Sequence, residues 1–334
     1  MTAEKSVISE LLPGFSGAVL VTRDGRAVLR EAAGIADVET GEELTPDSIF
    51  QICSVSKQFA AASVLLSVED GLLDLRAPIS SYLPEAPEAW SGITLHHLLS
   101  NSSGLGHWDV VPGFDAEHPY TADEYLPLLA EQPLLFEPGT GWQYSSPAFL
   151  LAGTIVERVT GETYREYSTR RIFAPLGMTS TSAGVPVRAA ARGYVEGKRA
   201  DAPEFALLPG AGDIFSTVDD LARYAHAFDA GEILGLESRR LATTPHTHIT
   251  EEAGTADGTI TVEGYGYGYF IGTLLGHRVR FHPGDNPGFH TFQIRLPELD
   301  FSIVILSNDG DTDIEDVGLK LLTHLVRAGD IQPR

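Results

Sequence analysis

Cysteine is almost missing from this chain: its 334 residues include one, Cys53. That excludes an internal disulfide and any thiolate-rich metal site. Long apolar runs are missing too, since no stretch reaches the roughly 18 residues of a membrane span. The opening MTAEKSVISELLPGFSG lacks the basic start and apolar run of a secretory signal. Together these absences give the expectation of a cytoplasmic protein. Basic residues are scarce, 23 against 46 acidic, for a formal charge of −23. A field of that sign repels phosphate backbones and anionic lipid, so neither nucleic acid nor a membrane is expected as a partner. No internal repeat, collagen-like period or low-complexity tract is present.

What remains is ordinary for a folded protein, with 43% hydrophobic and 21% charged residues. The length exceeds the roughly 100–200 residues of one domain, so two lobes are expected. Gly17–Thr22 and Arg26–Ala32 read as strands joined by a tight Asp24-Gly25 turn. From Val55 to Val68 apolar residues fall on nearly every face, which predicts a helix buried all round, ended by Asp70-Gly71. Apolar spacing of three or four predicts helices over Leu95–Leu99, Ala122–Ala130, Pro147–Thr160 and Thr163–Phe173. Another starts at the caps Ser216-Thr217. Strands follow at Thr259–Glu263, Tyr267–Leu274, Arg278–His282, Thr291–Arg295 and Phe301–Ser307, then a last helix, Ile314–Val326. The expected architecture is α/β: a discontinuous lobe of residues 1–75 and 206–334, a mostly helical lobe of 76–205, and a cleft between them.

Three segments carry chemistry. Ser54-Val55-Ser56-Lys57 puts a hydroxyl and an amine one turn apart at the mouth of the buried helix. A serine is a weak nucleophile until a neighbour takes its proton, and burial lowers a lysine pKa enough for that task. Pro138–Ser146 (PGTGWQYSS) places Tyr144 in a loop just before a helix. Arg280–Asp285 (RFHPGD) reads as a strand running into a small-residue loop. In this order, and with the connecting text LLSNSSGLGHW (98–108), IFAPLGMTST (172–181) and GAGDIFSTVDDLARY (210–224), they resemble the serine β-lactamase and penicillin-binding protein superfamily. The closest branch is that of class C β-lactamases, D,D-carboxypeptidases, D-amino-acid amidases and esterases.

The resemblance implies the β-lactamase-like (DD-peptidase) fold, an antiparallel sheet flanked by helices, and no metal or organic cofactor. It implies Ser54 as acylated nucleophile, Lys57 as its partner, Tyr144 as general base or proton shuttle, and His282 at the third-motif position. Gly284 would let substrate backbone approach, and the N–H groups of Ser54 and Asp285 would hold the oxyanion. Two positions depart from the pattern. Ser146 stands where the branch has asparagine, and His282 where a β-lactamase has lysine. An unperturbed histidine, with pKa near 6.5, is mostly neutral at pH 7.5, and Asp285 adds negative charge. Carboxylate-bearing β-lactams are therefore expected to be poor substrates that improve on acidification.

The expected substrate is a small-molecule or peptide amide or ester, plausibly D-configured. Rival readings are an acyltransferase, a β-lactamase and a non-catalytic binding module; the oligomeric state is open. Cys53 reads as a buried structural thiol. His246-Thr247-His248 lacks a third metal ligand and reads as solvated surface. Gly264–Gly268 (GYGYG) imitates a dinucleotide loop but leads into a strand. Trp108, Phe114, Tyr120 and Trp142 suit either the cleft or the core.

Overall fold

The structure is a computed structural model that describes residues 7–108, 111, 112, 118, 120–200, 209–249 and 259–332. Strands β1 (Gly17–Arg23) and β2 (Arg26–Ala33) form the expected hairpin. Asp24 and Gly25 turn it with φ of +50° and +68°, the left-handed pair that a two-residue turn requires. Short strands follow: β3 (Ile35–Asp37) pairs with β4 (Glu42–Glu43), and β7 (Tyr194–Val195) with β8 (Lys198–Arg199). A small ribbon joins β5 (Phe50–Gln51) and β6 (Ser182–Ala183) on either side of β9 (Ile214–Ser216). The last strands are β10 (Ile260–Tyr265), β11 (Phe270–Leu274), β12 (His277–Asn286), β13 (Phe289–Leu296) and β14 (Phe301–Ser307).

The main sheet is antiparallel, ordered β10-β11-β12-β13-β14-β1-β2. Both ends of the chain share it, because β14 pairs with β1 from Ser307↔Gly17 to Phe301↔Arg23. Helices are α1 (Val7–Leu11), α2 (Lys57–Glu69), α3 (Leu95–Leu99), α4 (Ala122–Ala130), α5 (Ser146–Thr160), α6 (Tyr164–Ser168), α7 (Val218–Ala230), α8 (Leu236–Ala242) and α9 (Ile314–Ala328). Strand alternation divides the apolar interior in two. Val19, Val21, Ile303 and Ile305 pack with Ile8 of α1 and Leu321 of α9, whereas Ala18, Leu20, Val304 and Leu306 face the core of α2 and α5. Lys57 through Ser67 are all buried, so α2 is the interior helix that its pattern predicts. Among the described residues no helix is long and apolar enough to cross a membrane.

Two expectations about the later strands are corrected. The segment after His282 is strand, not loop: β12 runs on to Asn286 and pairs with β13 throughout, Pro283 opposite Phe292. Its pairing with β11 stops at Phe281↔Phe270. Beyond that point β12 has a free edge, where a proline without N–H is tolerated. Tyr267 also lies outside β11, because Gly268 turns the chain with φ +76° against the Lys57–Gln58 backbone; a Cβ there would meet Lys57 O at 2.8 Å.

Candidate active site

The site begins where β5 ends. Ile52 N donates to Ile214 O (2.9 Å) and Ile214 N to Ser56 Oγ (3.1 Å), which pins the turn between them to β9. Cys53 takes φ +52°, a left-handed conformation that costs a non-glycine residue about 1–2 kcal/mol. Its thiol is fully buried, within 3.5 Å of Phe289 O, and burial pushes it up. Residues Cys53–Ser56 form a 3-10 turn and Lys57 starts α2. In a 3-10 turn side chains at i and i+3 eclipse, and Lys57 Nζ lies 3.0 Å from Ser54 Oγ.

Lys57 is completely buried. Its amine donates to Ser54 Oγ, to Ser146 Oγ (2.9 Å) and to Ala211 O (2.7 Å), and lies 5.0 Å from the Tyr144 ring centroid. No carboxylate among the described residues pairs with it. Burial therefore lowers its pKa to about 7, with Cys53 and Asp213 opposing.

Tyr144 is held from behind by a residue that sequence reading passed over. Asn101, at φ +55°, accepts from Gln143 N through its carbonyl (2.9 Å) and from Ser145 N through Oδ1 (3.1 Å). It thus holds the residues on both sides of the tyrosine by their N–H groups. Ser145 caps α5, accepting from Ala148 N, and Ser146 N donates to Nδ1 of His107, whose ring meets Tyr144 edge-on. Burial pushes the phenol well up, against the pull of hydrogen bonds with Ser54 and Ser146. At neutral pH it is an O–H group. Ser146, in the position where asparagine is the rule, thus meets both Lys57 and Tyr144.

The third motif behaves otherwise than its sequence suggests. His282 is buried, with Nδ1 2.5 Å from Pro283 O and Nε2 2.9 Å from Tyr265 Oη. A carbonyl only accepts, so Nδ1 carries the proton, and Nε2 accepts from the tyrosine. Burial, helped by Lys57, lowers the histidine to about 3. It gains no charge on mild acidification, which corrects the expected pH response. The Asp285 side chain does not join His282: alternation turns it the other way, 80% exposed and 3.3 Å from His290 Nε2, though its charge still reaches the Cys53 thiol. At Gly284 the close approach is internal. A Cβ there would meet Thr291 Oγ1 at 2.3 Å, Cys53 Cβ at 2.9 Å and Ile52 O at 3.0 Å, so the glycine lets β12 press against the turn that carries Ser54.

Outside this cluster, His246 is half-buried rather than solvated, stacked on Tyr267 with Nε2 donating to Leu241 O. Among the described residues no cluster of ligands suits a metal. The glycines of GYGYG serve close backbone contacts, Gly264 to Thr247 O and Gly266 to Ala242 O. Tyr120 is buried and Trp108 and Trp142 are half-buried against the main core; Phe114 lies outside the described residues. Asn101, His107, Asp213 and Tyr265 went unassigned in the sequence. Asn101 and Asp213 act through backbone turns, which leave no spacing signal.

The sequence model of the Beta-lactamase family matches residues 7–326. Esterase EstB of Burkholderia gladioli is 39% identical over 48% of this chain and 45% of its own length. A D-aminopeptidase of Gluconobacter oxydans (strain 621H) is 28% identical over 92% of this chain and 58% of its own. The chain thus spans about half the length of these two relatives. The crystal structure of D-amino acid amidase from Ochrobactrum anthropi SV3, complexed with L-phenylalanine, superposes with a TM-score of 0.80 at 24% identity, covering 95% of this chain and 96% of that one. That likeness concerns the fold.

Proposed function

The chain belongs to the Beta-lactamase family, and we propose that it is a serine hydrolase that forms an acyl-enzyme at Ser54. The observation that carries the reading is the buried amine with three oxygen partners and, among the described residues, no carboxylate in contact. As a neutral amine, Lys57 has two N–H groups and a lone pair. Ala211 O can only accept and takes one N–H; Ser146 Oγ takes the other; the lone pair faces the Ser54 hydroxyl. Ser54 Oγ then attacks a substrate carbonyl while its proton passes to Lys57. The backbone N–H groups of Ser54 and Asp285 are assigned to the oxyanion. As the tetrahedral intermediate collapses, Tyr144 hands its phenolic proton to the leaving amine or alkoxide and is reprotonated from Lys57. Water releases the acyl group.

Substrate class follows from His282. Both its nitrogens are engaged and the ring is neutral, so the third motif offers a carboxylate no cation. Small uncharged or amine-bearing amides, peptides and esters suit the cleft, and the D-aminopeptidase relative favours a D-configured acyl centre.

The test is intact-mass analysis with a fluorophosphonate, followed by kcat/KM on D- and L-amino-acid amides, p-nitrophenyl esters and a penicillin. One adduct, mapped to Ser54 and lost in Ser54→Ala, is expected. The penicillin should trail the best amide or ester at pH 7.5 by at least about tenfold, roughly 1.4 kcal/mol in the transition state, with a ratio unchanged at pH 5.5. Labelling that survives in Ser54→Ala overturns the nucleophile. A penicillin preference overturns the substrate argument.

A further inference from the structure

We propose that Asp213 is a positioning residue for Lys57: its carboxyl group folds the turn that presents the Ala211 carbonyl to the amine, and sets a buried acid two residues from that carbonyl. This rests on the acyl-enzyme reading above.

The turn is built for one arrangement. Asp213 Oδ1 accepts from Gly210 N at 3.0 Å, and the Asp213 carbonyl accepts from Gly184 N at 2.8 Å. Gly210 has φ +80°, and a Cβ on it would meet Ala60 Cβ and Phe149 O at 2.9 Å. The turn is therefore wedged between α2 and α5, with β9 continuing directly from it. Ala211 O, inside the turn, accepts from Lys57 Nζ at 2.7 Å. This carbonyl orients the amine: it takes one N–H and thereby helps to leave the lone pair for Ser54.

Asp213 is also a buried acid, 2% exposed, with no basic side chain in ion-pair contact among the described residues. Burial raises its pKa to about 7, with Glu157 adding to the rise and Lys57 and two backbone N–H groups opposing it. The ionisable groups that face this pair are Glu157 and Tyr164 on the side of Asp213, and Cys53, Tyr144 and His282 on that of Lys57. An ionised Asp213 favours the ammonium form of Lys57 and delays its loss of the proton. Asparagine keeps an oxygen for Gly210 N but carries no charge, so the Lys57 amine then becomes neutral at lower pH.

The experiment is the rate of Ser54 phosphonylation by a fluorophosphonate, with fluoride as leaving group, from pH 5 to 9, in wild type and Asp213→Asn. The rising limb of the variant should move to lower pH by about half a unit or more, so that below the wild-type midpoint it keeps about threefold more of its plateau rate. The plateau itself should persist. A limb that stays in place, or moves to higher pH, overturns the proposal. Wild-type enzyme that is not phosphonylated at Ser54 would instead overturn the hydrolase reading. A second measurement serves if the variant does not fold: the Asp213 carboxyl 13C resonance should titrate at higher pH in Lys57→Met than in wild type, and an unmoved midpoint again overturns the coupling.

Discussion

Two regions of this molecule bury cations, and they do so in opposite ways. At the α7 end of the sheet, Arg280 and Arg295, each 4% exposed, grip the two oxygens of Asp229 at 2.6 and 2.7 Å. Arg295 adds Asp300 at 2.6 Å, and Arg280 lies 4.8 Å from the Phe228 ring centroid. A guanidinium cannot shed its proton, so burial demands a carboxylate. At the other end, Lys57 has two hydroxyls, a carbonyl and, among the described residues, no contacting carboxylate. An amine can shed its proton, and burial makes it do so near neutral pH. The pairing partner separates a cation that holds strands together from the one proposed to do chemistry. Strand β12 joins the two regions, with Arg280 in the first and His282 and Gly284 in the second.

Breaking the unpaired region should cost activity most. Lys57→Met and Tyr144→Phe should each lower kcat by roughly 10²–10⁴, the range for a lost proton-transfer group. The double variant should be scarcely worse than either, since residues that act as a unit are non-additive; multiplicative losses would separate them. The same lysine variant reads stability. The folded pKa of Lys57 is below its ordinary value of 10.5, so between about pH 7 and 10.5 the unfolded chain binds the extra proton. Its contribution to stability therefore rises with pH across that window. Thermal unfolding should show wild type gaining on Lys57→Met from pH 7 to 10.

Breaking the paired region should reverse the pattern. Asp229→Asn takes the carboxylate from the buried Arg280 and leaves Arg295 with Asp300 alone, and should cost about 3–5 kcal/mol in urea unfolding. Ser54 acylation per folded molecule should stay within about threefold, because Asp229 acts on stability and not on the transition state. A large loss of acylation with little loss of stability would dissolve the distinction. The smallest effect is expected at the join: Gly284→Ala overpacks β12 against Ile52 and Cys53, for about 1–3 kcal/mol, and should slow acylation as the nucleophile turn shifts.

Much of the frame was legible because it rests on periodic patterns. Asp24-Gly25 announced the hairpin, the all-round apolar run announced α2, and Leu95–Leu99 and Ala122–Ala130 coincide with α3 and α4. The proximity of Ser54 and Lys57 was legible for the same reason: it is a one-turn spacing. Partners across the chain were not. Nothing in the third motif shows that Tyr265 occupies the histidine, or that the Asp285 side chain points to solvent. Pro283 and Gly284 looked like a loop because the free edge of β12 is decided by where β11 stops. Asp213 and Asn101 gave no signal at all, since each works by accepting backbone N–H groups in a turn.

The protonation of Lys57 tests the account most directly. The sequence has four lysines, so a pH titration of their ε-carbon and Nζ resonances is readable, with Lys57→Met assigning the signal. The account predicts that Lys57 loses its proton at about 7. A midpoint near the ordinary lysine value of about 10.4 would contradict it, because the amine beside Ser54 would then be a fixed charge and not a base.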